Sequence, residues 1–293
     1  MRVTAALPCY NGARYVGHAI ESLLNQSHQA DEIVVVDDGS TDGSAEIARR
    51  YPVELVQHGR NRGLAAARNT AIAAATGDIL FFVDVDASAD ADCLKVLLGG
   101  YDDALVGGVG GRGIESNIHS LADRWRRIHA TQGYGDAARY VAHLHGICMS
   151  FRLSALRQVG GFDAGFRTNG EDVEIGLRLN AAGFRLRYLP GARVYHRRSD
   201  DEANLRRTMA AWCVGAYRAR RVNRRQPWRA FAGVLRRMAV DPLWDLLIER
   251  DPALARLSWL ICWDKLRALR QAARENVRAA PPAAPAAASE HES

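Results

Sequence analysis

The sequence predicts an α/β protein: a mixed, mainly parallel sheet flanked by helices, with a helical extension at its C-terminal end. Three observations carry this. Short β-branched runs alternate with helical apolar spacing over the first two hundred residues, as expected of βαβ units. Acidic and glycine-rich turns close several of those runs, at the strand ends where such sheets hold their ligands. From Asp201 to Arg278 the pattern is helical and rich in arginine and tryptophan.

In order along the chain, Val3–Leu7 is a short apolar run, and Ala13–Gln26 sets Tyr15, Val16, Ala19, Ile20, Leu23 and Leu24 at helical spacing. Glu32–Asp37 is too short and too β-branched for a helix and reads as a strand. Thr41 is a good cap for a helix reaching Arg50, because its hydroxyl can accept a backbone N–H. Val53–Gln57 reads as a strand, Leu64–Ala75 as an alanine-rich helix, and Ile79–Val83 as a strand running into Asp84-Val85-Asp86. Then come a strand at Ala104–Val109, a helix at Ile118–His129, a strand at Gly146–Phe151 and a helix at Arg152–Val159, stopped by Gly160-Gly161. Asp172–Ala182 is helical, and Arg185–Leu189 and Ala192–His196 read as two short strands around a Pro190-Gly191 turn. The organisation expected is a core over residues 1–200, a basic amphipathic helical extension over 201–278, and a disordered Ala/Pro-rich tail over 279–293.

Composition excludes several classes. With 293 residues, 48% hydrophobic and 25% charged, the chain is not broadly disordered. Its five cysteines are scattered with no Cys-x-x-Cys pair, which fits reduced thiols in the cytoplasm and argues against structural zinc. No run approaches 18 uninterrupted apolar residues, so no spanning helix is expected, and Pro8, Asn11 and Gly12 come too early for a signal peptide. The net charge of +6 is uneven. Residues 1–200 hold 22 basic and 23 acidic side chains, whereas 201–278 hold 17 and 8. The basic character therefore belongs to the extension, and a nucleic-acid partner is not expected.

Four motifs bear on chemistry. Asp84 and Asp86, one residue apart at a strand end, project to the same side and can face one hard cation. Glu171-Asp172 opens a helix, where the dipole favours ionised carboxylates, and Asp172 is placed to act as a general base. His196 ends a strand and is a candidate third ligand. His143 and His145 form a His-x-His pair without further ligands at zinc spacing. Gly108–Gly113 matches G-x-G-x-x-G, yet no convincing helix opens beneath it and no acid follows at ribose-binding distance. It reads instead as a glycine-rich strand end that permits close packing. No P-loop is present.

In order, Leu7-Pro8-Cys9-Tyr10-Asn11, Val36-Asp37-Asp38-Gly39-Ser40-Thr41-Asp42, Gly63-Leu64-Ala65-Ala66-Ala67-Arg68-Asn69, Gly77-Asp78, Asp84-Val85-Asp86, Gly160-Gly161-Phe162-Asp163, Gly170-Glu171-Asp172 and His196 resemble family 2 glycosyltransferases of the Rossmann-like GT-A fold. The resemblance runs from about Thr4 to His196. It implies an inverting enzyme moving a sugar from a nucleotide-diphosphate sugar, UDP-sugars favoured, to an acceptor hydroxyl with a Mn or Mg cation. It further implies that Pro8, Tyr10, Asn11, Asp37 and Asp38 line the nucleotide base, that Arg68, Asp84 and Val85 approach the nucleotide, and that Asp86, Asp84 and His196 hold the metal. Asp172, with Glu171 beside it, takes the catalytic position.

The extension joins the basic run Arg218–Arg225 to Trp- and Leu-rich helices, a combination suited to an anionic membrane surface on the inner face of the cell membrane. Packing on the core is the other use of such helices. A membrane role would fit a lipid-linked or cell-envelope glycan acceptor. Two other readings make weaker demands on these residues. A sugar-nucleotide pyrophosphorylase should carry a Gly-rich, Arg- and Lys-bearing loop after its first strand, where this chain has Pro-Cys-Tyr-Asn-Gly and only two lysines in all. An inactive transferase-like scaffold has no need of the acids, which are all present.

Overall fold

In a computed structural model of the protein, which describes residues 1–223, 226 and 228–278, the first four strands alternate with helices. They are β1 (Val3–Cys9), α1 (Val16–Leu24), β2 (Glu32–Asp37), α2 (Ser44–Ala48), β3 (Glu54–Gln57), α3 (Leu64–Ala74) and β4 (Ile79–Val83). The chain continues through β5 (Ala87–Ala89), α4 (Cys93–Leu98), β6 (Val106–Glu115), α5 (Leu121–His129), β7 (Arg139–Val141), β8 (Cys148–Arg152), α6 (Leu153–Gln158), α7 (Glu171–Ala181) and β9 (Arg185–His196). Three helices follow, α8 (Glu202–Val222), α9 (Trp228–Leu247) and α10 (Pro252–Arg278).

All nine strands among the described residues join one sheet in the order β3-β2-β1-β4-β8-β6-β9-β5, with β7 also on β9. Pairing is parallel from β3 to β4; β8 then runs antiparallel between β4 and β6, and β6 pairs parallel with β9. β1 lies between β2 and β4, so the order reverses there and a crevice opens beyond the carboxyl ends of these strands. Both faces of the sheet are covered, which is why its central strands are apolar without a break. Leu7, Val35, Phe81 and Val83 pack with α1 and α4 on one face; Ala6, Val34, Val36 and Phe82 pack with α3, α6 and α7 on the other.

Four features depart from the sequence reading. Thr41 is not a helix cap: Gly43 holds that place before α2, and the Thr41 N–H instead donates to Asn11 Oδ1 at 2.9 Å. The Pro190-Gly191 turn sits inside a continuous β9. Gly110 pairs with Tyr188 but Arg112 pairs with Arg193, so the intervening β9 residues bulge from the ladder, the place in a sheet where proline is tolerated. The G-x-G-x-x-G match lies within β6 rather than at its end, and its glycines serve packing, since a Cβ on Gly111 would stand 2.2 Å from the Ala192 carbonyl oxygen. Finally, β5, α4 and β7 are short elements that the apolar pattern does not mark.

The last three helices dock on the core. Leu205 and Met209 of α8 and Leu254, Leu257 and Ile261 of α10 bury Ala122 and Trp125 of α5. A polar network reinforces the junction: Trp125 Nε1 donates to Ser258 Oγ at 2.7 Å, Ser258 Oγ donates to Asp245 at 2.5 Å, and His129 Nε2 lies 2.6 Å from Asp245. α8 also crosses the start of α7, where a Cβ on Gly170 (φ +91°) would lie 2.5 Å from the Gly215 backbone. Only glycine satisfies both that angle and that approach. The tail over 279–293, and Arg224 and Arg225 of the basic run, lie outside the described residues. Among the described residues no helix is long and apolar enough to cross a membrane.

Candidate active site

The end of β4 delivers Asp84, and β5 turns the chain so that Ala87 pairs with His196 at the end of β9. Asp86 and His196 are thereby brought together although 110 positions separate them in the sequence. Ligand atoms of Asp84, Asp86 and His196 all lie within 4.8 Å of one another, with His196 Nε2 3.9 Å from Asp86 Oδ1. The opposite ring nitrogen, Nδ1, is 3.0 Å from Glu115 Oε1, its cross-strand neighbour on β6. Burial works against ionisation of Glu115, but the His196 hydrogen bond and Arg198 outweigh it and hold the carboxyl below its ordinary value. An ionised Glu115 accepts the Nδ1–H, which leaves the Nε2 lone pair facing Asp86. Two carboxylates and an imidazole so oriented fit a divalent cation such as Mn2+ or Mg2+. Arg198 closes the group, with Nη1 3.6 Å from Asp86 and Nη2 3.3 Å from Glu115.

Arg68 links this corner to the second acidic motif. Projecting from α3 and 1% exposed, its guanidinium packs over Phe82 and Phe162. Nη1 donates to Glu171 Oε1 at 2.5 Å and Nη2 to Asp84 Oδ1 at 3.1 Å. Burial pushes the Glu171 carboxyl up to about 7, with Arg68 opposing and Asp172 adding repulsion. Burial also raises Asp84, against the pull of Arg68 and with Asp86 repelling; its side chain keeps 30% exposure, so it is less completely desolvated than Glu171. Asp172 is only partly buried. It accepts from its neighbour Val173 N at 2.8 Å and from Gly146 N at 3.2 Å. The two backbone donors, one from the start of α7 and one from the loop before β8, fix the orientation of this carboxylate.

Asp84, Asp86, His196, Arg68, Glu171 and Asp172 all line one cavity of about 830 Å³. The remaining predicted residues gather elsewhere, beyond the ends of β1 and β2. Pro8 is buried within β1, and Tyr10 is 49% exposed. Asn11 adopts a left-handed backbone (φ +49°) and ties the end of β1 to the loop after β2. Asp37 and Asp38 are each 2% exposed. Asp37 accepts from Ser40 N and Gln57, both at 3.2 Å. Asp38 accepts from Arg62 N at 2.9 Å and Gly63 N at 2.7 Å and lies 2.6 Å from His58 Nδ1, so both its oxygens are engaged by the protein. Val85 is partly buried against Gly12.

No sequence motif marks Glu115, which meets His196 only through strand register, or Arg198, which follows His196 two residues beyond the end of β9. Nor does one mark Tyr134, whose ring stacks on His145 at 4.9 Å and meets His143 edge-on at 5.9 Å. Burial lowers both histidines below their ordinary value, His145 to about 4, and so keeps them neutral beside Asp172. Among the described residues neither belongs to a metal-type cluster.

Residues 4–160 match the model of the family described as Glycosyl transferase family 2. The chain is 33% identical over 209 residues to the pre-mycofactocin glycosyltransferase of Mycobacterium tuberculosis and 25% identical over 226 residues to the poly-beta-1,6-N-acetyl-D-glucosamine synthase of Staphylococcus aureus. These alignments cover 66% and 73% of this chain but only 42% and 54% of those relatives. Among solved structures it is similar to the mannosyltransferase PcManGT of Pyrobaculum calidifontis in complex with GDP-Man and Mn2+, with a TM-score of 0.59, 22% identity and coverage of 96% and 76%. It is also similar to S. aureus TarS in complex with UDP, with a TM-score of 0.57, 18% identity and coverage of 95% and 92%. The fold is of the GT-A type.

Proposed function

The chain belongs to glycosyl transferase family 2, and from that premise we propose that it transfers a sugar from a nucleotide-diphosphate sugar to an acceptor hydroxyl with inversion. The observation that carries this is the meeting of both acidic motifs on one cavity, with the Asp84, Asp86 and His196 ligand atoms at one corner and Asp172 across Arg68. UDP-sugars are the favoured donor; the TarS complex with UDP and the PcManGT complex with GDP-Man support a nucleotide-sugar donor in general. Pro8, Tyr10, Asn11, Asp37 and Asp38 shape the base end, with Asp38 holding the loop around Gly63, while Arg68, Asp84 and Val85 approach the ribose and diphosphate.

A Mn2+ or Mg2+ on Asp86, Asp84 and His196 would supply the positive charge that stabilises the departing diphosphate. Asp172 removes the proton from the acceptor hydroxyl as its oxygen bonds the anomeric carbon. The bond from that carbon to the diphosphate breaks on the opposite face, in one displacement. Glu171, held by Arg68 in the protein interior, orients the start of α7 and leaves the proton transfer to Asp172. In the test, wild-type protein binds UDP only with the divalent cation, and Asp86→Ala loses that binding at least about tenfold by calorimetry, the scale of one lost ligand contact. Undiminished turnover in chelator would remove the metal from the mechanism.

The unit so proposed is a catalytic domain over 1–200 with the helices of 201–278 completing its cavity. Eleven of the sixteen large exposed hydrophobic side chains among the described residues lie between Val222 and Trp263, including Trp228, Trp244, Trp259 and Trp263. With the arginines of the same helices, they support peripheral attachment to the anionic inner face of the cell membrane, near a lipid-linked or cell-envelope glycan acceptor. The full chain should float with anionic liposomes at low salt and release as salt rises. Failure to float at low salt would exclude the attachment.

A further inference from the structure

The cavity continues past its acidic end toward α8, α9 and α10, and its lining changes sign on the way. The four acids on its wall, Asp84, Asp86, Glu171 and Asp172, all stand at the β4 and α7 end. The helical wall presents Arg207 from α8, Arg229 and Arg236 from α9, and Lys265 from α10. Among the described residues none of these four has an acidic partner, although their sequence neighbours do. Arg206 pairs with Asp264 at 2.7 Å, and Arg237 with Asp241 at 3.6 Å. Lys265 is the most enclosed of the set: its ammonium lies 5.5 Å over the Trp125 ring, and burial pushes it below the ordinary lysine value. Arg207, Arg229 and Arg236 stand exposed, whereas Lys265 is partly withdrawn from water, where a cation without a counter-charge is costly and a bound anion relieves that cost.

The residues assigned to the donor base lie outside this cavity, so its helical arm is free for the acceptor. We infer that the acceptor is anionic and carries a phosphate ester, which Arg207, Arg229, Arg236 and Lys265 receive while its hydroxyl lies at Asp172. Phosphate suits the arm better than a single carboxylate, because four cations from three helices line it and the arginine fork matches phosphate oxygens. The inference rests on the glycosyltransferase reading and adds the acceptor's chemical class to it. The phosphate could belong to a lipid carrier or to a phosphodiester polymer.

The test uses the full chain in chelator, so that no metal site competes for phosphate. Binding of farnesyl phosphate and of a short poly(glycerol phosphate) is compared with that of farnesol and glycerol. At least one phosphate probe should bind where its uncharged counterpart does not. Farnesyl phosphate alone would identify the lipid source, the polymer alone the polymeric one, and both would support the shared chemistry. Arg236→Gln and Lys265→Gln should each weaken the binding about tenfold, as loss of a charge-assisted hydrogen bond does. Arg236 is exposed, so its variant reports on binding without disturbing the core. In parallel, UDP binding with Mn2+ should be unchanged in both variants. Equal binding of charged and uncharged probes, or wild-type phosphate binding in both variants, would overturn the inference. So would an accompanying loss of UDP, which would assign these cations to the donor diphosphate. A wild-type chain that takes neither UDP nor a UDP-sugar would instead defeat the underlying reading, and the acceptor assignment with it.

Discussion

Asp172→Asn is expected to lower sugar transfer by roughly 10²–10⁴-fold, the range for losing a general base, while donor binding survives. The substitution keeps the size of the side chain and an oxygen for Val173 N, so the start of α7 keeps its course. What it removes is the capacity to take a proton. Asp172 is partly exposed on the cavity and held by two backbone N–H groups, whereas Glu171 is 4% exposed with one oxygen on Arg68. Of the two adjacent acids, only Asp172 faces the space an acceptor can enter with its carboxylate free of an arginine. Single-turnover transfer together with calorimetric UDP-sugar binding separates the two effects. Full transfer by the variant would take Asp172 out of the mechanism, and loss of donor binding would make its role structural.

Much of this arrangement is legible in the amino-acid sequence. Glu32–Asp37 and Ile79–Val83 show their own bounds, because strands covered on both faces are apolar without interruption and an acid marks the point where they leave the sheet. Asp84, Asp86 and Asp172 stand out by their placement at element ends, and the fold does bring them onto one cavity. Local signals fail where long-range pairing decides. Pro190-Gly191 has turn chemistry, yet β6 on one side and β7 on the other carry β9 straight through it as a bulge. Glu115 has no local signal at all, since its meaning comes from lying opposite His196 in a parallel register. The cationic arm shows in the sequence only as a net excess of arginine; which of those arginines face the cavity depends on how three helices dock on α5.

Arg68→Met is expected to destabilise the protein by about 3–5 kcal/mol, the cost of breaking a buried ion pair from one side. Methionine fills most of the space between Phe82 and Phe162, so the loss is electrostatic rather than a cavity. Glu171 would be left buried with neither of its oxygens paired, since Oε2 already lacks a partner. The pH dependence identifies the cause. The folded-state value of Glu171, about 7, lies above the ordinary 4.5, so the folded form binds its proton more tightly than the unfolded form. Stability from this group is therefore complete below about pH 4.5 and is lost as pH rises through about 7. Without Arg68 to oppose burial, the folded value moves higher still. Wild type then levels off above about pH 7 while the variant goes on losing stability, and the gap between them widens with pH in urea titrations. Adding Glu171→Gln to Arg68→Met should abolish that widening and recover much of the stability. A loss under about 1 kcal/mol, or a gap that does not change with pH, would mean that Arg68 is not what holds the β4 acids against the start of α7. The two acidic motifs would then owe their meeting to the backbone alone.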